Sequence, residues 1–200
     1  MTSVRQQNFL LRKEKILAMA ETLLLDNNQD ITLSELATEL DIAKGTIYKH
    51  FKSKNQLYLE LIILNETRLL EISQKHNNDI KTYVSEYMLY NMLNSNRTIL
   101  LHVIEERLTN NERKLKELFE KLYQIREQRI IEIKDMTSDY LKSLDSAMSI
   151  RDYLSYVWTV TYGASLLLNS THYQKSIGSR ERLIKLYVNQ ALMTPDKISH

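Results

Sequence analysis

Apolar residues recur along this chain at the three- and four-residue spacing of helices that bury one face. Residues that interrupt helices are rare, since the chain has three glycines and one proline, and Pro195 lies almost at its end. This pattern predicts an all-α protein of about nine helices joined by short connections. The helices are predicted at about 9–26, 33–40, 44–50, 54–76, 79–94, 97–108, 111–141, 149–169 and 179–192. Residues 1–8 are polar and are expected to form a loose arm.

The segment of about 32–51 has the pattern of two short helices joined by a tight turn. Thr32 and Glu35 form a T-x-x-E capping box, which predicts that the first of these helices begins at about residue 33. The apolar stripe of that helix consists of Leu33, Leu36, Ala37 and Leu40. The arrangement is typical of a helix-turn-helix, in which the second helix reads DNA.

The second helix of this segment, predicted over about 44–50, has one buried edge and otherwise polar faces. Ile47 and Phe51, four residues apart, form the buried edge. The remaining positions are Lys44, Gly45, Thr46, Tyr48, Lys49 and His50. Lysines neutralise phosphates, and hydroxyl and imidazole groups hydrogen-bond to phosphates or base edges. Gly45 is a poor choice for an ordinary helix, but it would let backbone and DNA approach each other closely.

The charge of this segment is positive, although the charge of the whole chain is nearly balanced. Lys44, Lys49, Lys52 and Lys54 lie between residues 42 and 56, and no carboxylate lies among them. The whole chain has 27 basic and 25 acidic residues and a net charge of +2, so a nucleic-acid surface must be local. The alternative interpretation is a solvated basic face on a small helical bundle.

Three motifs within about the first 65 residues resemble the DNA-binding domain of the TetR family of bacterial transcriptional regulators. The motifs are Ile16, Leu17 and Ala20; Thr32, Leu33, Glu35, Leu36 and Ala37; and Lys44-Gly45-Thr46-Ile47-Tyr48-x-His50-Phe51-x-Ser53-Lys54-x-x-Leu57. Two positions depart from the family pattern. Asn27 replaces the glycine usual after the first helix, and Ala43 replaces the serine often found before the Lys-Gly-Thr run. The second replacement weakens the cap of the DNA-reading helix.

The resemblance implies a TetR-type helix-turn-helix domain over about 9–69 and a helical ligand-binding and dimerisation domain over about 70–200. It also implies a sequence-specific transcriptional regulator, most often a repressor in this family, that binds a palindromic double-stranded DNA operator as a homodimer. The dimer interface is expected over about 149–192; the alternative is that these helices are simply core within a monomer. Lys54 opens a helix whose free N–H groups favour an anion, and the resemblance implies that it contacts a phosphate. The residues expected at DNA are Thr32, Lys44, Gly45, Thr46, Tyr48, Lys49, His50 and Lys54.

Aromatic residues and methionines occur on the helices that the family uses around its ligand pocket. The candidate lining residues are Tyr87, Met88, Met92, His102, Tyr123, Trp158 and Tyr162. Such walls suit a large apolar or aromatic small-molecule effector, whose binding would release the DNA. The alternative is that these side chains are ordinary core. The sequence H-x-x-E-E, which is His102 with Glu105 and Glu106, is interpreted as an exposed acidic turn and not as a metal site.

Other classes of function have little support in the sequence. The chain has no cysteine, which excludes disulfides, thiolate catalysis and Cys-based zinc sites. No phosphate-binding loop, dinucleotide fingerprint, G-x-S-x-G or H-E-x-x-H motif occurs, so neither an enzyme nor a cofactor is expected. No apolar run approaches ~20 residues and no signal peptide is visible, so we expect a soluble cytoplasmic protein without a membrane partner. The alternative function is an all-helical small-molecule or protein-binding module with a non-functional helix-turn-helix.

Overall fold

The computed structural model describes residues 3–27, 30–109, 113–176 and 178–195, and these residues form helices and short connections without a strand. The α-helices are α1 (Val4–Asn27), α2 (Leu33–Glu39), α3 (Lys44–Tyr48), α4 (Lys54–Lys75), α5 (Ile80–Leu93), α6 (Ser95–Thr109), α7 (Lys116–Ser143), α8 (Ile150–Asn169), α9 (Thr171–Ser176) and α10 (Arg180–Met193). The predicted all-α fold is confirmed, with ten α-helices in the described residues. In that part of the chain, none of the helices combines the length and the apolar character that crossing a membrane requires.

The first helix is longer than the sequence predicted. It begins at Val4 and not at about residue 9, so the expectation of a loose arm is wrong for residues 4–8. Ser3 Oγ accepts a hydrogen bond from Gln6 N at 3.2 Å, and Ser3 N donates to Gln6 Oε1 at 2.9 Å. This S-x-x-Q capping box satisfies N–H groups of the first turn and explains why the helix begins there. Residues 1 and 2 lie outside the described residues.

Two further differences from the prediction lie in the second half of the chain. The helix α9 was not predicted, because its six residues are too few to show a helical period. The helix α7 begins at Lys116, after a 3₁₀ turn at Arg113–Leu115, and not at about residue 111. The predicted break at 110–111 lies outside the described residues.

Helices α1 to α4 share one hydrophobic core, and this core fixes the position of α3. Ile47 of α3 and Phe51 just after it are completely buried, together with Ala20 of α1 and Leu36 of α2. Side chains of α6 and of the segment that begins α7 belong to the same core, namely Leu101, Ile104, Leu108, Leu115, Phe119 and Leu122. The N-terminal helices therefore pack directly on two helices of the second half of the chain.

A second core lies among α5, α8, α10 and the C-terminal half of α7. Val84, Met88 and Met92 of α5 and Tyr153 of α8 are completely buried in it. The helix α6 reaches the first core through one face, and it also packs on α8. It thus lies between the N-terminal helices and the helices of the second core.

Candidate functional site

The turn between α2 and α3 sets the orientation of α3 relative to α2. Asp41 adopts a left-handed conformation with φ of 50°, just after the end of α2. Ile42 N donates to Ala37 O at 3.0 Å, and Asp41 N donates to Thr38 O at 3.1 Å. This pair of bonds is the Schellman motif, which satisfies carbonyl groups in the last turn of α2 and reverses the direction of the chain. The tight turn that the sequence predicted is therefore present.

The face of α3 opposite Ile47 is open to solvent. Lys44, Gly45 and Lys49 are exposed, Tyr48 is 48% exposed, and Thr46 is half-buried. A Cβ atom added at Gly45 would meet nothing within 4 Å. The free protein therefore has no steric need for glycine at this position, although glycine weakens a helix. The structure brings these five candidates together on one short, accessible surface.

Lys44 is the first residue of α3 and contacts the preceding helix of the motif. Its Nζ donates to Ser34 Oγ at 2.9 Å, at an exposed position. Ala43, at the N-cap of α3, supplies no side-chain hydrogen bond, as the sequence predicted. A hydrogen bond between exposed groups is readily exchanged for a stronger, charge-assisted bond to a phosphate.

His50 follows α3, and its ring packs on the first helix. The ring stacks on Phe9 with 4.1 Å between centroids. Partial burial and neighbouring positive charges lower the pKa of His50. The charges belong to Arg12, Lys13 and Lys49. The imidazole is therefore mainly neutral near pH 7, and it packs on Phe9 as an uncharged ring.

Thr32 caps α2, as the sequence predicted. Its Oγ1 accepts a hydrogen bond from Glu35 N at 3.1 Å, and Glu35 Oε2 accepts one from Thr32 N at 2.7 Å. The hydrogen bonds from Thr32 lower the pKa of the Glu35 carboxyl group. Thr32 is exposed at the N-terminal end of α2, so its hydroxyl group lies at the surface as well as in the cap.

Lys54 begins α4 and is held by an acidic residue that sequence analysis did not single out. Its Nζ lies 2.6 Å from Asp30 Oδ2, and Tyr58 Oη donates to Asp30 Oδ1 at 2.7 Å. Tyr58 Oη in turn accepts a hydrogen bond from Ile31 N at 3.1 Å. Burial acts to raise the pKa of Asp30, but the hydrogen bonds from Lys54 and Tyr58 outweigh it and lower that pKa. Local spacing could not reveal this pairing, because 24 residues separate the two partners.

A partly open cavity of about 340 Å³ lies between α4, α5, α6, α7 and α8. Four of the seven predicted pocket residues line it: Tyr87, His102, Trp158 and Tyr162. The Trp158 and Tyr162 rings stack with centroids 5.7 Å apart, and His102 meets Tyr162 edge-on at 4.6 Å. These rings form an aromatic wall, so the structure brings together the aromatic residues of the predicted set except Tyr123.

The other three predicted pocket residues lie elsewhere. Met88 and Met92 are completely buried in the second core. Tyr123 is half-exposed on α7, and its ring lies 6.1 Å from that of Phe119. For the two methionines the structure therefore favours the alternative of ordinary core.

Part of the cavity wall is charged, which the sequence analysis did not predict. Arg126 donates to both carboxylate oxygens of Glu105, at 2.6 and 2.8 Å, and to Glu66 at 3.1 Å. An Arg129 guanidinium nitrogen lies 3.4 Å from a carboxylate oxygen of Glu66. Glu66 lies four residues after Ile62, on the buried stripe of α4, and this position was the signal that could have identified it.

The pairing of Glu105 with Arg126 bears on the H-x-x-E-E sequence of α6. Both oxygens of Glu105 are engaged by Arg126, which leaves this carboxylate poorly placed to bind a metal ion with His102. Among the described residues, no group of three or more side chains of metal-binding type comes together.

Comparison with known proteins shows which family the N-terminal helices resemble. Residues 16–61 match the family model described as bacterial regulatory proteins, tetR family. The HTH-type transcriptional regulator QacR of Staphylococcus aureus is 34% identical to this chain over 82 residues, which is 40% of this chain and 44% of that relative. The match thus spans less than half the length of the curated relative. The matched family segment contains α2, α3 and the Lys54 end of α4, where the candidate DNA-contacting residues lie. The N-terminal helices of this chain are therefore similar to those of the tetR family of bacterial regulatory proteins.

Proposed function

We propose that this protein is a sequence-specific DNA-binding transcriptional regulator that acts as a homodimeric repressor on a palindromic operator. The observation that carries the proposal is the open face of α3, where Lys44, Gly45, Tyr48 and Lys49 are exposed while Ile47 is completely buried. A helix that is packed on the core along one edge and exposed to solvent along the other can enter the major groove of DNA.

The roles of the individual side chains follow from their chemistry. Lys44 and Lys49 neutralise phosphates, while Thr46 and Tyr48 hydrogen-bond to phosphates or base edges. Thr32 and Lys54, at the N-terminal ends of α2 and α4, bind phosphates on either side of the groove. His50 contributes a neutral imidazole at the C-terminal end of α3. Gly45 allows the DNA backbone to approach the helix closely.

The helices α8 and α10 support the proposed dimer. Leu166 and Leu167 of α8, and Leu186 and Met193 of α10, are between 37% and 51% exposed. Exposed apolar residues on two neighbouring helices are typical of a surface that pairs with a second copy. One short helix contacts too few base pairs for useful specificity, whereas two copies about one DNA turn apart cover a palindrome.

The cavity supports regulation by a small molecule that contains an aromatic ring. Its aromatic wall would stack on such a ring, while the wall formed by Glu66, Glu105, Arg126 and Arg129 would select for polar groups. The two α3 helices must be one particular distance apart to bind the operator. A ligand releases the operator only if it binds a form with another spacing more tightly than it binds the DNA-binding form. The similarity of the N-terminal helices to this family favours a binding protein of this kind over an enzyme.

The test is the salt dependence of binding to an operator duplex. Footprinting on the DNA that flanks the gene identifies the duplex, and fluorescence anisotropy then gives the dissociation constant over a range of salt concentrations. The variant Lys44→Ala/Lys49→Ala should lower the slope of log K against log salt by about 0.9 for each lysine and each protomer that contacts a phosphate.

The control for this test removes the same charge from the surface of another helix. Lys121→Ala/Lys134→Ala changes two exposed lysines of α7 and should leave both the slope and the affinity unchanged. An unchanged slope in the Lys44/Lys49 variant would exclude the proposed DNA interface.

A further inference from the structure

The Asp30 carboxylate lies between two cations that belong to different parts of the molecule. Lys54 Nζ, at the start of α4, lies 2.6 Å from Oδ2, and Arg107 Nη2, near the end of α6, lies 3.7 Å from Oδ1. Both cations also lie near the ring of Tyr58, at 5.4 and 5.8 Å from its centroid. The Tyr58 hydroxyl holds Asp30 in place by donating to it.

Arg107 is carried by a helix that also lines the cavity. Leu101, His102, Glu105 and Glu106 of α6 contribute to the cavity wall, and Arg107 is the next residue along the chain. The N-terminal end of α6 also contacts α1, because Asn96 Nδ2 donates to Leu25 O at 3.3 Å. A displacement of α6 would therefore change the distance between Arg107 and Asp30.

We propose that Asp30 is a positioning residue that competes with operator phosphate for Lys54, and that Arg107 sets the strength of this competition. The inference rests on the proposed DNA binding. Lys54 cannot neutralise a phosphate fully while Asp30 holds it at hydrogen-bond distance. When Lys54 turns to DNA, Asp30 loses its nearest cation, and Arg107 is the neighbouring cation that keeps the carboxylate paired.

This arrangement makes the cavity and the phosphate site energetically dependent on each other. Approach of Arg107 to Asp30 favours release of Lys54 to DNA, and withdrawal of Arg107 favours the closed pair of Asp30 and Lys54. The pair is partly exposed, with 30% of the Lys54 side chain and 52% of the Asp30 side chain accessible. The coupling is therefore modest and is screened by salt.

The experiment measures the affinity of single and double variants for the operator duplex found by footprinting. Asp30→Asn removes the charge but keeps an oxygen that accepts from Tyr58, and it should tighten binding about twofold to fivefold. Arg107→Gln should weaken binding by a similar factor, because release of Lys54 then leaves Asp30 without a cation. In the Asp30→Asn background, Arg107→Gln should have no further effect. The effect of Asp30→Asn should shrink between roughly 50 mM and 200 mM salt.

Two controls separate this competition from a general effect of charge. Asp26→Asn removes the same charge from an exposed position of α1, four residues earlier, and should change affinity less than Asp30→Asn does. In a Lys54→Gln background, Asp30→Asn should give no gain. The inference is overturned if Asp30→Asn behaves as Asp26→Asn does, if its gain persists without Lys54, or if Arg107→Gln acts independently of Asp30. If the wild-type protein binds no flanking duplex, the proposed DNA binding fails, and this inference fails with it.

Discussion

At the scale of single residues, Gly45 is the position where stability and the proposed function demand different side chains. The residue is exposed within α3, and an added Cβ would have open space around it. A glycine with this freedom weakens the fold without any gain in the free protein. Its presence is explained if DNA, and not the protein, occupies the adjacent space.

Gly45→Ala should therefore stabilise the protein and weaken its binding to DNA. Alanine in place of glycine should raise the free energy of unfolding by about 0.5–1 kcal/mol, because it reduces the freedom of the unfolded chain and favours the helix. Denaturant unfolding measures the first effect, and anisotropy with the operator duplex measures the second. Unaltered DNA affinity in a stabilised variant would show that the open space is not used by DNA.

The residue scale also shows what sequence reasoning can and cannot reach. The burial of Ile47 and the exposure of Lys44 follow from helical spacing, and both were predicted correctly. The stacking of His50 on Phe9 and the pairing of Lys54 with Asp30 join residues from different elements. Such contacts depend on the angles between helices, which local spacing does not encode. The same limit explains why the pairing of Glu66 with Arg126 and Arg129 was missed, although helical spacing places Glu66 on the buried stripe of α4.

At the scale of elements, helix caps explain both the successes and the errors of the prediction. The T-x-x-E box correctly predicted the start of α2, and Ser53 caps α4 by accepting from Gln56 N at 3.1 Å. The S-x-x-Q box at Ser3 is an equivalent signal that was not used, and its omission placed the start of α1 too late. The helix α3 has no side-chain cap and is held mainly by the burial of Ile47.

A cap added to α3 should stabilise this element. Ala43 has an extended conformation with φ of −65° and ψ of 137°, which suits an N-cap residue whose side chain accepts from the first turn. Ala43→Ser should raise the free energy of unfolding by about 0.5–1 kcal/mol. Thermal or denaturant unfolding measures the change, and Ala43→Val serves as a control that cannot accept a hydrogen bond. Equal stability of the serine and valine variants would contradict this explanation.

At the scale of the whole molecule, some helices bury apolar residues on one face in a core and expose apolar residues on another face. The exposed leucines of α8 and α10 lie on helices whose opposite faces are buried in the second core. The helix α7 also exposes apolar side chains, of which Ile131 is 59% accessible. Exposure alone therefore does not identify an interface, and an experiment must distinguish the two surfaces.

A charge placed on the proposed interface should separate the protomers without unfolding them. Leu166→Glu/Leu186→Glu changes one half-exposed leucine on each of α8 and α10, and it would bring four carboxylates together across a two-fold interface. This variant should sediment as a monomer and lose most of its affinity for the full palindrome, because the two α3 helices are no longer tied at a fixed spacing. Ile131→Glu, on α7, should remain a dimer with unchanged DNA affinity. If the double variant stays dimeric, the protomers meet elsewhere; if the wild-type protein is a monomer that still binds the palindrome tightly, dimerisation is not what provides specificity.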